Sequence, residues 1–162
     1  MDKRELGAFL GDRSSLELMR QAGGSAVRLA SMLASGMSFF DDVGFWKRAQ
    51  IVPSDLALAG VASFEDLDRL TIFADNLVPH VLRMDGVLRY SEALAARIDA
   101  GQLVPAGSPE EREIRACAVH ACERISAATG VPARALDTWL WNRGQAPSFK
   151  AVPRHRTRTV YY

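Results

Sequence analysis

The sequence predicts an all-α protein that folds as a single compact helical domain over residues 1–162. Apolar residues recur at steps of three and four along most of the chain, which is the spacing of one helix face. Serines and prolines mark helix starts, and glycines mark helix ends. The length of 162 residues also suits one domain.

Four stretches with helical spacing are predicted in the first half of the chain. They cover residues 2–10, 14–34, 45–60 and 64–85. Gly23-Gly24 is expected to break the second stretch and to leave a good helix at 25–34. Pro53 is expected to kink or restart the third. The spacing of the fourth suits a helix that faces the core.

Three further helices are predicted after the turn at Asp85-Gly86. They run from Ser91 to Ala100, from Ser108 to Thr129 and from Pro132 to Gly144. The second has the clearest start, since Ser108 is an N-cap, Pro109 suits the first helical position and Glu111 completes a capping box.

The face of the helix at 108–129 is also predicted from its spacing. Its apolar stripe is expected to consist of Ile114, Cys117, Ala121 and Ile125. Glu111 and Arg115 are expected to pair on the solvent side.

Charge is unevenly distributed along a chain whose net charge is only +1, which argues against a general binder of nucleic acids or membranes. No acidic residue follows Asp137, whereas five cations do: Arg143, Lys150, Arg154, Arg156 and Arg158. The extended C-terminal segment ends in Tyr161 and Tyr162, so we expect it to dock on the protein and not to act as a nucleic-acid arm.

Asp137 is the first candidate for chemistry, because it lies among leucines and tryptophans in PARALDTWLWNR. A carboxylate in such surroundings is costly to bury unless it is paired. Two interpretations stay open. Asp137 is a surface residue or pairs with Arg134 or Arg156, or it lines a pocket and takes part in catalysis.

Asp75 and Lys47 are further candidates. Asp75 lies in the apolar segment LTIFADNLVPHVLR and either pairs with an arginine at the surface or forms, with Asp137, a carboxylate pair of the kind used in glycoside chemistry. Lys47, in FWKRAQ, either binds a phosphate or carboxylate or extends along a helix surface.

Several classes of site are not indicated. His80, His120 and His155 are scattered, Cys117 and Cys122 match no metal or redox motif, and no zinc-protease, phosphate-loop or dinucleotide motif is present. We therefore expect no metal or cofactor, and the two cysteines are interpreted as small core residues. With no signal segment and no long apolar run, we expect a cytoplasmic protein without a membrane span.

Several ordered blocks of the sequence resemble the queuosine salvage protein family, the queuosine 5′-phosphate N-glycosylase/hydrolases. The blocks are GSAVRL at 24–29, FWKRAQI at 45–51, LTIFADNLVPHVLR at 70–83, GVLRYSEAL at 86–94, GSPEEREIRA at 107–116, LDTWLW at 136–141 and PRHRTRTVYY at 153–162. The resemblance indicates a short form that corresponds to the C-terminal portion of the family and lacks its N-terminal region.

The resemblance implies an all-helical fold related to the helix-hairpin-helix DNA glycosylases. The implied reaction is hydrolysis of the N-glycosidic bond of queuosine 5′-phosphate, which releases queuine for reuse in transfer RNA. A queuine- or nucleoside-binding module without turnover and a nucleic-acid-binding helical domain are the alternatives.

The resemblance also implies roles for individual residues. Asp137 would be catalytic, as nucleophile or as stabiliser of the transition state. Asp75 and Phe73 would contact the base or its cyclopentenediol arm, and Lys47 the phosphate or ribose. Thr138 and Asn142 occupy neighbouring substrate-binding positions, and Asn142 stands where the family has Asp. The partner is a small-molecule nucleotide, and a homodimer could complete the pocket through an apolar helix within residues 1–35.

Overall fold

The computed structural model describes residues 3–162, with side chains from Glu5 onward. Within this range the regular structure is helical, which confirms the predicted class. The helices are α1 (Lys3–Leu10), α2 (Ser15–Ala22), α3 (Ala26–Gly36), α4 (Lys47–Leu58), α5 (Val78–Met84), α6 (Glu92–Asp99), α7 (Pro109–Thr129), α8 (Ala133–Arg143) and α9 (Pro147–Lys150). Short 3-10 turns lie at Ser38–Phe40 and Leu67–Arg69. None of these described helices is long and apolar enough to cross a membrane.

Serine caps explain where four of the helices begin. Ser14, Ser25, Ser91 and Ser108 each accept a hydrogen bond from the backbone N–H three residues later. Such a bond satisfies one of the N–H groups that a helix start leaves without an intrahelical partner. The predicted starts at Ser91 and Ser108 are confirmed. The capping box is only half right, because the Glu111 carboxylate accepts from the backbone N–H of Gly107 and not from that of Ser108.

The chain forms two compact units. The first contains the residues up to Phe73 together with Tyr161, and the second contains residues 74–160 together with Tyr162. In the first unit, α3 packs against α2 and α4. Its apolar side, from Ala26 to Ala34, is buried in that unit's own core. The expectation that this helix is available to a second copy is therefore wrong. The single domain over residues 1–162 stays a prediction.

The second unit is arranged around α5, which contacts α7, α8 and α9. Leu77, Val81 and Phe149 form one buried cluster there. The glycine that ends α8 allows a close approach, because a Cβ on Gly144 would lie only 2.8 Å from Leu77 Cδ1. Glycine at this position therefore lets the end of α8 lie directly against α5.

The predicted helix over residues 64–85 is wrong for most of its length, since only Val78–Met84 is α-helical. Gln50 holds the backbone of Thr71 in a non-helical path: its Oε1 accepts from Thr71 N at 2.9 Å, and its Nε2 donates to Thr71 Oγ1 at 3.0 Å. Pro79 then favours a helix start, because proline suits the first turn and disfavours helical conformation in the residue before it.

The predicted face of α7 is also partly wrong. Ile114 is buried as expected, but Cys117 is exposed, and Ala118 and Cys122 take the buried positions. Arg115 is buried with Glu111 and does not lie on the solvent side. The polar pair turns inward because it has partners there that the helix pattern does not show.

Candidate functional site

Asp137 lies on α8 and is buried, with 6% of its surface exposed. The interpretation of Asp137 as a surface residue is therefore wrong. Helix α8 packs against α7, where Cys122 is fully buried. Burial, and after it the negative charge of Asp137, raises the pKa of the Cys122 thiol to about 12. A buried carboxylate thus faces α7 from α8, in surroundings where water screens its charge poorly.

Asp75 is buried too, at 8% exposure, and lies in the segment that leads into α5. Its Oδ1 accepts hydrogen bonds from Leu77 N at 2.7 Å and from Val78 N at 3.1 Å. The preceding carbonyl, that of Ala74, accepts from Arg115 Nε at 3.0 Å. These bonds fix the backbone on both sides of the carboxylate. The interpretation of Asp75 as an acid exposed at the surface is therefore wrong.

A cavity of about 640 Å³ in the second unit includes Asp75 among its lining residues. Pockets of roughly 300–1,000 Å³ are typical of small-molecule sites. Trp141 and Phe149 supply aromatic surface, and Lys150, Arg154 and Arg156 supply positive charge. Asp137, Thr138 and Asn142 are not part of this lining, although Trp141 is one turn after Asp137 on α8.

Thr138 and Asn142 are both exposed on α8. The Thr138 hydroxyl donates back to the carbonyl of Arg134 at 3.3 Å, so it is engaged within its own helix. The structure therefore gives these two side chains no place in the cavity that Asp75 lines.

Lys47 and Phe73 belong to the first unit, and both are partly buried. Lys47 begins α4 directly after Trp46, whose φ of 49° is left-handed. That conformation is uncommon for a non-glycine residue and is often found at functional sites. The Lys47 backbone N–H donates to the Asp42 carboxylate at 3.4 Å. Lys47 also lines a cavity of about 240 Å³ with Phe39, Phe40, Arg48, Ile51 and Val52.

Sequence reasoning predicted the pairing of Glu111 with Arg115 but missed the burial of this polar cluster and its contact with Tyr162. Glu111 and Arg115 form an ion pair at 3.1 Å, and the Tyr162 hydroxyl donates to the Glu111 carboxylate at 2.7 Å. The Arg115 guanidinium lies 4.8 Å from the centre of the Tyr162 ring. The expectation that the C-terminal segment docks is confirmed at Tyr162, and the i,i+4 spacing of Glu111 and Arg115 was the signal available.

No group of three or more His, Cys, Asp or Glu side chains placed to hold a metal ion occurs in the part of the chain that the structure describes. Charged side chains do line the two cavities: Asp75, Lys150, Arg154 and Arg156 line the larger one, and Lys47 and Arg48 line the smaller one. The complete site expected from Lys47, Phe73, Asp75, Asp137, Thr138 and Asn142 stays a prediction.

Comparison with known proteins gives a consistent result. Residues 4–162 match the family model described as queuosine salvage protein. The chain is 40% identical to a queuosine 5′-phosphate N-glycosylase/hydrolase of Sphaerobacter thermophilus, over 98% of this chain and 55% of the relative. It is 33% identical to the protein of the same name from Nematostella vectensis, over 98% of this chain and 56% of the relative. The Dictyostelium discoideum protein of that name is 40% identical over 74% of this chain and 40% of its own length.

The chain thus spans about half the length of the curated relatives that it matches. The family match nevertheless includes the segments that carry Lys47, Asp75 and Asp137. The chain belongs to the queuosine salvage protein family.

Proposed function

We propose that this chain hydrolyses the N-glycosidic bond of queuosine 5′-phosphate, or of a related 7-deazaguanine nucleotide, and releases queuine for salvage into transfer RNA. Its similarity to relatives named queuosine 5′-phosphate N-glycosylase/hydrolase supports the reaction class. The structural observation that carries the proposal is the buried carboxylate of Asp137 on a helix within the matched region.

Asp137 acts in this proposal on the charge that develops during bond cleavage. Breaking the bond between C1′ and N9 builds positive charge on the sugar. A fixed carboxylate in a poorly hydrated place stabilises that charge far better than one in water, because its interactions are weakly screened. Water supplies a hydroxyl to C1′, and the base leaves with the proton. Asp137 acts either as nucleophile or as electrostatic stabiliser.

The remaining residues are proposed to bind the substrate. Asp75 and Phe73 contact the base or its cyclopentenediol arm, and Lys47 contacts the phosphate or ribose. The two backbone hydrogen bonds to the Asp75 Oδ1 support its role, because they orient the carboxylate before substrate arrives. Thr138 and Asn142 are proposed as neighbouring contacts on α8.

The proposal also includes the relationship of the fold, the location of the protein and its partners. The fold is proposed to be related to that of the helix-hairpin-helix DNA glycosylases, the protein to act in the cytoplasm, and its partner to be a small molecule and not a nucleic acid. A homodimer is proposed to close the pocket. Since α3 is packed within its own unit, the side chains available for self-association are exposed ones such as Leu16, Leu58 and Val61.

The test is to incubate the purified chain with queuosine 5′-phosphate and to measure free queuine and ribose 5-phosphate by mass spectrometry over time. We expect the two products to appear in equal amounts. Tight binding of the substrate without any product would show that the chain is a binding module and would contradict the proposed reaction. Adenosine 5′-monophosphate is the matched control, because it has the same sugar phosphate and a purine base without the cyclopentenediol arm.

A further inference from the structure

The 640 Å³ cavity of the second unit has a strongly cationic lining that the assigned residue roles do not use. Lys150, Arg154 and Arg156 line it, and Asp75 is the acidic residue of the lining. Three positive charges around one concave surface favour an anionic ligand. Arginine in particular forms paired hydrogen bonds with phosphate oxygens.

Three arginines of this unit that lie outside the cavity lining are paired with carboxylates, unlike the cations of the lining. Arg83 pairs with Asp99 at 3.2 Å, Arg97 with Glu110 at 3.1 Å and Arg143 with Asp85 at 2.8 Å. Within the described residues, Lys150 and Arg154 have no carboxylate within ion-pair distance. The Arg156 guanidinium donates to the neutral carbonyl of Gly101 at 3.0 Å, which leaves its charge uncompensated.

The backbone places Arg154 and Arg156 on the same side of the C-terminal segment. His155, which lies between them, is buried to 1% exposure, whereas Arg154 and Arg156 are exposed. In an extended chain, residues two apart point the same way. The Arg156 carbonyl accepts from Val104 N at 2.9 Å, and this bond fixes the segment against the unit. A backbone that is already fixed loses less conformational freedom when the two arginines bind a ligand.

Trp141 adds an aromatic surface to the same cavity, and it is 47% exposed. Exposed aromatic rings stack with nucleobases, and such contacts contribute about 1–3 kcal/mol per base in nucleic-acid complexes. A cavity that joins a tryptophan face to a cluster of cations therefore matches a nucleotide better than an isolated inorganic anion.

From this geometry we propose that Arg154 and Arg156, assisted by Lys150, form a phosphate-binding subsite that takes the 5′-phosphate of a nucleotide monophosphate. Of the two contacts proposed for Lys47, this leaves the ribose. The inference rests on the proposed function for the identity of the nucleotide, but the binding of phosphate itself does not depend on catalysis. Nothing about Asp137 is needed for this subsite to work.

The first part of the test measures the binding of inorganic phosphate to the full chain by NMR titration. Arg154→Gln is expected to weaken binding at least about tenfold, as loss of a charged hydrogen bond does, and Arg154→Lys is expected to restore part of it. Arg158→Gln is the matched control, because it removes an equal charge from the same segment outside the cavity lining. An equal loss in Arg154→Gln and Arg158→Gln would overturn the subsite.

The second part compares queuosine 5′-phosphate with the nucleoside queuosine as substrates. The wild-type chain is expected to have the lower KM for the phosphate. Arg154→Gln is expected to erase that preference, whereas Arg158→Gln, outside the cavity lining, is expected to keep it. If neither substrate yields queuine, the proposed function fails, and the phosphate titration alone decides on the subsite.

A final arm titrates a single-stranded RNA oligonucleotide of random sequence. Binding that Arg154→Gln and Arg158→Gln weaken equally would make the segment a general polyanion surface and would contradict the proposal. Competition by inorganic phosphate that depends on Arg154 and not on Arg158 would support it.

Discussion

His155 is buried to 1% exposure, and neither of its ring nitrogens has a hydrogen-bond partner within the described residues. Burial, together with the positive charges of Arg115 and Arg154 and the neighbouring His80, lowers the pKa of His155 from 6.5 to about 4. The edge of the ring faces Tyr162, with ring centres 6.5 Å apart. The folded state therefore holds this imidazole neutral at pH values where the unfolded chain binds a proton.

This difference predicts that stability falls as pH decreases from about 6.5 to about 4, because in that range only the unfolded state takes up the proton. The shift corresponds to roughly 3 kcal/mol. Burial, the largest cause, also lowers the pKa of His80, so its contribution has the same sign. His155→Phe should remove about one proton from the slope of unfolding free energy against pH, measured by urea denaturation. An unchanged slope in His155→Phe would show that His155 does not carry this effect.

The two cysteines are predicted to differ sharply in reactivity. Cys117 is exposed, whereas Cys122 is buried and its thiol pKa is raised to about 12. Because the thiolate is the reactive form, a thiol reagent at pH 8 should label Cys117 quickly and Cys122 only after unfolding. Mass spectrometry of labelled peptides measures both rates, with Cys117→Ser as the control. Rapid labelling of Cys122 in the folded protein would contradict its burial.

Residue type and family resemblance were enough to select Asp75 and Asp137, but not to establish their surroundings. The pattern of α7 placed Arg115 in solvent because it contains no information about partners elsewhere in the chain. Arg115 is buried because Ala74, 41 positions away, offers a carbonyl to it. Such long-range contacts are invisible to a rule that compares neighbours three or four residues apart.

At the scale of elements, the C-terminal segment closes the polar cluster of Glu111 and Arg115. Burial of the Tyr162 ring and the bond to the Glu111 carboxylate raise the pKa of the Tyr162 hydroxyl. The segment also pairs with Leu103 through a short parallel bridge at Arg156. Through these contacts Arg156 and Tyr162 take part in the second unit's packing.

Truncation after Pro153 is therefore predicted to lower the melting temperature. Tyr162→Phe is the more specific variant, because it removes only the hydroxyl. It should lower the free energy of unfolding by about 1–3 kcal/mol, since the buried Glu111 carboxylate loses a hydrogen-bond donor. Arg158→Gln serves as control, and calorimetry supplies the comparison. Equal melting temperatures for all three variants and the wild type would mean that the segment contributes nothing to stability.

The wrong prediction of one helix over residues 64–85 shows that apolar periodicity alone does not distinguish a helix from a buried non-helical segment. Apolar residues at steps of three and four suited a helix, yet Leu70, Ile72 and Ala74 are all buried in a non-helical segment. Gln50, distant in sequence, supplies the hydrogen bonds that the backbone at Thr71 would otherwise find in a helix. Local signals predicted the serine caps at Ser91 and Ser108 and the helix break at Gly23-Gly24 correctly, because those depend only on neighbouring residues.

At the scale of the whole molecule, self-association is the predicted route to a closed pocket. Specific activity should rise with protein concentration over the range in which analytical ultracentrifugation shows dimers. Leu58→Lys tests the exposed apolar side chains of the first unit, and Arg112→Gln, an exposed change on α7, is the control. A chain that stays monomeric while its specific activity is constant would contradict the dimer.

We propose that the charge of buried Asp137 drives base release, and Asp137→Asn tests this role because the side chain keeps its size and loses its charge. Initial rates of queuine release from queuosine 5′-phosphate should fall by about 10²–10³-fold, the loss typical of one electrostatic stabiliser. The circular dichroism spectrum should stay that of the wild type, and Glu123→Gln, an exposed acid on the neighbouring helix, should keep the wild-type rate. Wild-type queuine release by Asp137→Asn would show that this charge does not drive base release.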